Sequence, residues 1–245
     1  MFYKALAKHN TFVDFSFNPI SASGSNSAII HYNPQVFSNC VKINNQGLFL
    51  FDGGAHFKYS TTDMTRTIYI GNNPDFNLKT QYTLVLKSII NFSLLQFPKN
   101  TKAYSIDSIA RAQLWQYGFD YSFGTGHGVG VFGNVHEYPG ISPNSTDTIC
   151  EKMVITIEPG IYTDHSGIRM ENMLLTKYSN NHNYIEFETI NFIPFAKALI
   201  RSEMLSGYEI KWLNNYNQQV LDKCLDYFRN SDITLKWLLY NTSTI

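Results

Sequence analysis

Five side chains spread along this sequence are of the types that hold metal ions: Asp52, Asp63, His127, Glu158 and Glu171. Brought together, four carboxylates and one imidazole would carry four negative charges, which match two divalent cations. Like charges packed into a dry space stay ionised only if a cation compensates them. An oxygen-rich set with one nitrogen suits a fairly hard ion, so manganese comes first, with zinc, cobalt or iron compatible. Two such ions roughly 3.5–4 Å apart can share a water, lower its pKa toward roughly 7 and clamp a tetrahedral intermediate. That is the chemistry of hydrolysis. Each residue alone has a plainer explanation. Asp52 and Asp63 read as turn aspartates, His127 as a satisfied structural histidine, Glu158 as a surface strand end and Glu171 as an outward-facing strand residue.

A shared site needs strand ends that converge. Asp52 ends the apolar run 47–51, a buried strand leaving an Asn-Asn-Gln-Gly turn. Gly53-Gly54 breaks it, residues 55–59 restart extended structure, and residues 65–70 alternate as a half-buried strand does. Asp52 and Asp63 are therefore expected on neighbouring strands. His127 lies within Gly124-Thr-Gly-His-Gly-Val-Gly130, where flanking glycines let the imidazole approach an ion or substrate closely. Glu158 follows the strand 153–157, and Glu171 is carried on a strand over 167–177. Residues 12–17 alternate like a strand, 21–27 read as a polar loop and 28–31 as a short strand. Helical spacing covers 78–97, ending before Pro98; Ser105 opens a second helix stopped by Gly118. Ser206-x-x-Glu209 is a capping box that launches a helix to Phe228, and a short helix follows near 234–240. Strands and helices mix without strict β-α alternation, which predicts an α+β fold.

The 245 residues allow one large domain or two small ones, and 44% apolar with 15% aromatic content suits a globular chain. Zero net charge offers nothing to attract nucleic acid or an anionic membrane. Three widely spaced cysteines without a Cys-x-x-Cys pattern read as thiols of a reducing compartment. No signal-peptide core and no apolar run of membrane-spanning length is present, so a cytoplasmic protein is expected. Residues 1–20 read as the tail of something larger.

Taken in order, Asp52, Thr-Thr-Asp-Met-Thr-Arg-Thr (61–67), the glycine-rich run 124–130, Val-His-Glu (135–137), Glu-Pro-Gly (158–160) and Gly-Ile-Arg-Met-Glu-Asn (167–172) resemble the aminopeptidase P family. These are Xaa-Pro aminopeptidases with the pita-bread fold, a curved, mostly antiparallel sheet covered by helices. The likeness runs from about Phe12 to the C-terminus, including Trp212-Leu-Asn-Asn-Tyr216. It implies a catalytic domain over 1–190, with a helical C-terminal extension over 191–245 like that of the long, three-domain members.

The resemblance also implies roles. Asp52 would chelate one metal, Asp63 and Glu171 would bridge both, and His127 and Glu158 would complete the second site. A bridging hydroxide would attack the scissile carbonyl while Glu158 moves the proton to the departing imino nitrogen. His31 and His136 would contact substrate and stabilise its oxyanion, and Tyr162 and Arg169 would line or back the site. The substrates would be peptides with proline in second position, and a homodimer is suggested. Four positions depart from the pattern: Phe123 replaces a histidine, Tyr59-Ser60 replaces Asp-Gly, and Tyr138 replaces a small residue. The first two domains of the long members, with a substrate-contacting arginine, lie outside this sequence. Methionine aminopeptidase shares the fold and ligand types, but the 61–67 run, His31 and the 212–216 tail speak against it. The other reading is a non-catalytic or weakly active pita-bread domain, or a truncated remnant.

Overall fold

A computed structural model describes residues 2–37, 40–43, 45–181 and 183–245. In chain order the elements begin with α1 (Phe2–Leu6), β1 (Phe12–Phe15), β2 (Ile20–Ser23), α2 (Pro34–Phe37), β3 (Gly47–Asp52), β4 (Ala55–Phe57), β5 (Ser60–Thr61) and β6 (Thr65–Ile70). Next come α3 (Phe76–Ser93), β7 (Gln96–Pro98), α4 (Ala103–Trp115), β8 (Gly126–Gly128), β9 (Glu137–Ile141) and β10 (Val154–Ile157). The chain continues through β11 (Gly160–Tyr162), β12 (Gly167–Arg169), β13 (Asn172–Tyr178), β14 (Tyr184–Thr189), α5 (Gly207–Phe228) and α6 (Asp232–Thr242).

The strands pair antiparallel throughout, as an α+β chain requires. The largest sheet has six strands in the order β7-β14-β13-β10-β8-β9, and β2-β3-β6 form a three-stranded sheet. On β3 the period of two buries Leu48, Leu50 and Asp52 on one face. A carboxylate thus stands where the pattern demands an apolar residue. Helix α3 buries Leu84, Val85, Leu86, Ile89, Ile90 and Phe92, and α4 adds Ile106, Ala110 and Leu114 to the same core. Phe92 stacks on Phe187 of β14 at 5.1 Å between ring centroids, tying helix to sheet.

Five local expectations change. Helix α3 stops at Ser93, because Gln96–Pro98 is recruited as an edge strand by Tyr184, Ile185 and Glu186. Helix α4 starts at Ala103, two residues before Ser105: the carbonyls of Asp147 and Ser145 take the N–H groups of Ala103 and Tyr104, so no hydroxyl cap is needed. Residues 20–23 pair with β3, and 24–28 form a 3-10 turn instead of an open loop. Residues 28–31 turn rather than extend, since Ser27 Oγ donates to Gly24 O and accepts from Gly167 N. The expected strand 167–177 is split at Met170-Glu171, β12 pairing with β11 and β13 with β10 and β14.

Helix α5 begins at the expected capping box, with Glu209 N donating to Ser206 Oγ at 3.3 Å and Ser206 N to Glu209 Oε2 at 2.7 Å. The Glu209 carboxylate also accepts from Lys87 Nζ at 2.7 Å and Asn91 Nδ2 at 2.6 Å, anchoring α5 on α3. Glu209→Ala removes the cap and leaves a largely buried ammonium unpaired, at an expected cost of about 2–3 kcal/mol. Urea denaturation should show a lower midpoint with an unchanged slope. A shift below about 0.5 kcal/mol would contradict this anchoring.

Candidate metal centre

Each of the five expected ligands sits where regular structure ends. Asp52 closes β3, Glu158 follows β10, and Glu171 occupies the two-residue gap between β12 and β13. His127 is central in three-residue β8. Asp63 lies in the connection between β5 and β6 and not on a strand, two residues short of the Asp52–Thr65 pairing; it still faces the same space. Close packing sets these positions: a Cβ at Gly126 would overlap the carbonyl oxygen of Thr156, so only glycine lets β8 lie this close to β10.

The ligand atoms converge. Asp52, Asp63 and Glu171 bring carboxylate oxygens within 4.8 Å of one another, as do His127, Glu158 and Glu171 with their own ligand atoms. Asp63, His127 and His136 form a third such group. His127 Nδ1 lies 2.9 Å from the Gly128 carbonyl, which can only accept, so Nδ1 carries the proton. Its other nitrogen, Nε2, faces Asp63 Oδ2 at 3.5 Å and Glu158 Oε1 at 3.4 Å. In the neutral ring that nitrogen is a lone pair aimed at two carboxylates, an arrangement a shared cation relieves.

Two orphaned oxygens make the fit to a cation specific. Asp52 Oδ2 accepts from Arg169 Nη2 at 2.6 Å, and Glu171 Oε2 accepts from Thr65 Oγ1 at 2.8 Å. Asp52 Oδ1 and Glu171 Oε1 are buried with no hydrogen-bond partner among the described residues. An unpartnered buried carboxylate oxygen is costly, and two converging ones fit a divalent cation.

Without an ion, burial favours the protonated form of three of the carboxyls. Burial pushes Glu158 from an ordinary 4.5 up to about 7, against the pull of His127 and Arg169. Burial, with Asp63 and Glu158 nearby, raises Glu171 well above the usual carboxylate range, and burial outweighs Arg169 in raising Asp52. Burial disfavours charge on His127, but its bond to Asp63 and the charge of Glu158 prevail and raise it. His136 moves down, through burial and the neighbouring His127. These shifts predict a pH dependence with a definite sign. Between pH 4.5 and 7 the folded chain keeps a proton on Glu158 that the unfolded chain has lost, so metal-free stability falls as pH rises through this window. The raised His127 acts in the same direction. Metal-free protein should therefore melt at a higher temperature at pH 5 than at pH 8, and a divalent ion should raise the midpoint most at pH 8. Scanning calorimetry with and without chelator reads both. A metal-free midpoint that climbs from pH 5 to 8 would contradict the protonated cluster.

The centre opens into a cavity of about 650 Å³ lined by all five residues together with His31, His136, Arg169 and Phe123. His136 packs edge-on against His127 at 4.3 Å, and His31 sits in an exposed turn at the cavity wall. Tyr162 stands behind Arg169, its hydroxyl bonded to the guanidinium, and burial raises its pKa to about 12. Phe123 presents its ring to the cavity, wedged between Tyr121 and Tyr162 at 5.0 and 5.5 Å. Beyond Arg169 and Tyr162, sequence reasoning missed the groups that hold the candidate ligands. Thr65 and Arg66 were visible within the 61–67 run, and Thr125, whose carbonyl accepts from Glu158 N, within the glycine-rich run. Asp107 and Arg111, which grip the loop before His127 through Thr125, Tyr121 O and Phe123 O, gave no signal beyond an i,i+4 pair on a helix.

Comparison with known proteins gives the same picture. The chain is 42% identical over 247 residues to a probable Xaa-Pro aminopeptidase P from Podospora anserina, and 41% identical over 250 residues to one from Metarhizium robertsii. These matches cover 96% and 98% of this chain but only 36% and 40% of the relatives, so the chain spans well under half their length. Among solved structures, an X-prolyl aminopeptidase from Caenorhabditis elegans, described as a cytosolic enzyme with a di-nuclear active site, superposes with a TM-score of 0.92 at 35% identity. It is matched over 99% of this chain and 41% of its own. A prolidase from Pyrococcus furiosus superposes at 0.65 and 31% identity over 77% of this chain and 55% of its own. The expected pita-bread fold is therefore the observed one. The model of metallopeptidase family M24 matches residues 1–177 and that of the C-terminal region of peptidase M24 matches residues 183–245. Matched along most of its length by both sequence and fold, the chain belongs to metallopeptidase family M24.

Proposed function

We propose that this chain is the catalytic part of a metal-dependent Xaa-Pro aminopeptidase, acting on peptides with proline in second position. The observation that carries this reading is the pair of buried, unpartnered oxygens on Asp52 and Glu171, set among three further ligand groups. Two divalent ions, manganese first and zinc or cobalt as substitutes, suit the oxygen-rich set. Asp52 would hold one ion, His127 and Glu158 the other, and Asp63 and Glu171 both. When bound, such a pair supplies Lewis acidity and a nucleophile at neutral pH. We take residues 1–190 as the catalytic unit and 191–245 as its extension.

The remaining chemistry belongs to the side chains. Glu158 lies within 4.8 Å of His127 and Glu171, beside the place of the nucleophile, which suits a carboxylate that passes a proton to the departing imino nitrogen of proline. His136 and His31 line the cavity on the substrate side and serve as donors to the developing oxyanion. Arg169 holds Asp52 in place, and Tyr162 holds Arg169, so both act by orienting a ligand. Phe123 turns one wall apolar where related enzymes would offer a donor. Neutral net charge argues against nucleic acid or an anionic membrane as partner. Among the described residues no helix is long and apolar enough to cross a membrane. Three free thiols, and likeness to a relative described as cytosolic, support a cytoplasmic site of action.

The test is hydrolysis of a short Arg-Pro peptide by purified chain supplemented with Mn²⁺, with chelator controls and a Met-Ala peptide beside it. Release of arginine that requires metal supports the proposal. Preferential release of methionine would move the assignment to a methionine aminopeptidase. An inert chain holding fewer than two metal equivalents would move it to a non-catalytic domain.

A further inference from the structure

We infer that three residues of the C-terminal region, Asn191, Ile193 and Tyr216, are positioning residues for the metal centre, acting on Glu171 through Arg66 and on Asp63 through Met173 and Met64. The inference rests on the metal-centre reading above.

Glu171 lies in the gap between β12 and β13, outside any strand ladder. Its backbone is held instead by two bonds: its N–H donates to Thr65 O at 3.0 Å, and its carbonyl accepts from Arg66 Nη1. Arg66 is buried, and a buried guanidinium needs a full complement of acceptors. Residues before 190 supply Thr65 O, Glu171 O and the Asn172 side chain. The C-terminal region supplies the rest, namely Ile193 O at 2.8 Å from Nη2 and Tyr216 Oη at 2.9 Å. Tyr216 fixes that carbonyl in turn, donating to Ile193 O at 2.8 Å and accepting from Ile193 N at 3.2 Å.

A second link runs in parallel. Asn191 Oδ1 accepts from Met173 N at 3.0 Å, and Asn191 Nδ2 donates to Met64 Sδ at 3.3 Å. Met173 Sδ accepts the N–H of Asp63 at 3.3 Å. Both carboxylates proposed to touch two ions are thus backed by one segment of the C-terminal region. Loss of those acceptors would leave the guanidinium that holds the Glu171 carbonyl short of the partners that fix it. Outer partners of this kind typically set metal affinity by about 10–100-fold.

Calorimetric titration of the full chain with Mn²⁺, alongside turnover of an Arg-Pro peptide, tests this. Tyr216→Phe keeps the ring stacked on Trp212 and against Phe195 and removes only the hydroxyl. It should weaken binding of at least one Mn²⁺ equivalent by about 10-fold or more, and lower kcat with KM nearly unchanged. Glu209→Ala loosens the same helix without touching Arg66, and should bind Mn²⁺ as the wild type does. Asn191→Ala, which cuts the second link alone, should also weaken Mn²⁺ binding and stands in if Tyr216→Phe folds poorly. Wild-type affinity in Tyr216→Phe or Asn191→Ala, with only a lower melting temperature, would reduce the region to a structural brace and overturn the inference. A wild-type chain that binds no Mn²⁺ would instead sink the metal-centre reading on which it rests.

Discussion

Asp63→Asn is expected to cut turnover of an Arg-Pro peptide at least a thousand-fold, roughly 4 kcal/mol of barrier. The substitution keeps shape and volume but removes the charge shared between two clusters that could hold a metal, so little of the loss should come from misfolding. Its stability should in fact move the other way. In the metal-free chain Asp63 raises Glu171, Asp52 and Glu158 through like-charge repulsion, and a neutral amide relieves that repulsion. Metal-free Asp63→Asn should therefore melt at or above the wild-type temperature, while the rise produced by Mn²⁺ shrinks. Thermal scans with and without metal, paired with kinetics, separate the two effects. Near-normal turnover would remove Asp63 from the site.

Arg66→Met carries the largest expected loss of stability, about 3–5 kcal/mol. The guanidinium joins β6 to the backbone of Glu171, to Asn172, to Ile193 and to Tyr216, and it lies 4.4 Å over the Phe195 ring. Methionine fills much of the volume but takes a donor from three carbonyls (Thr65, Glu171 and Ile193), an amide oxygen and a phenol. Urea denaturation should show a markedly lower midpoint, and a multiphasic curve if the helices after residue 190 detach first. A loss under about 1 kcal/mol would mean that water or rearranged neighbours replace the guanidinium.

These two residues mark the limit of what could be read before the fold was known. Asp63 was legible because its chemistry is carried by its own side chain and by a recognisable order of neighbours. Arg66 sits three positions away in the same run, yet nothing local says whether it faces solvent, substrate or core. The answer depends on acceptors 105 to 150 residues further along the chain. Edge pairing behaves in the same way: residues 96–97 fall in the run read as a helix, but an available strand claims them.

Residue chemistry along the chain determined the set of candidate ligands, the strand that ends at Asp52, the glycines beside His127 and the capping box of α5, because each depends on a residue's own type or on neighbours a few positions away. Only tertiary structure decided that Glu171 sits in a strand break, that Thr65 takes one of its oxygens and leaves the other free, and that Tyr216 of α5 bonds Arg66, which holds the Glu171 carbonyl. Those outcomes are set by hydrogen-bond partners from distant segments, and a buried polar group takes whichever partner the packing brings within reach.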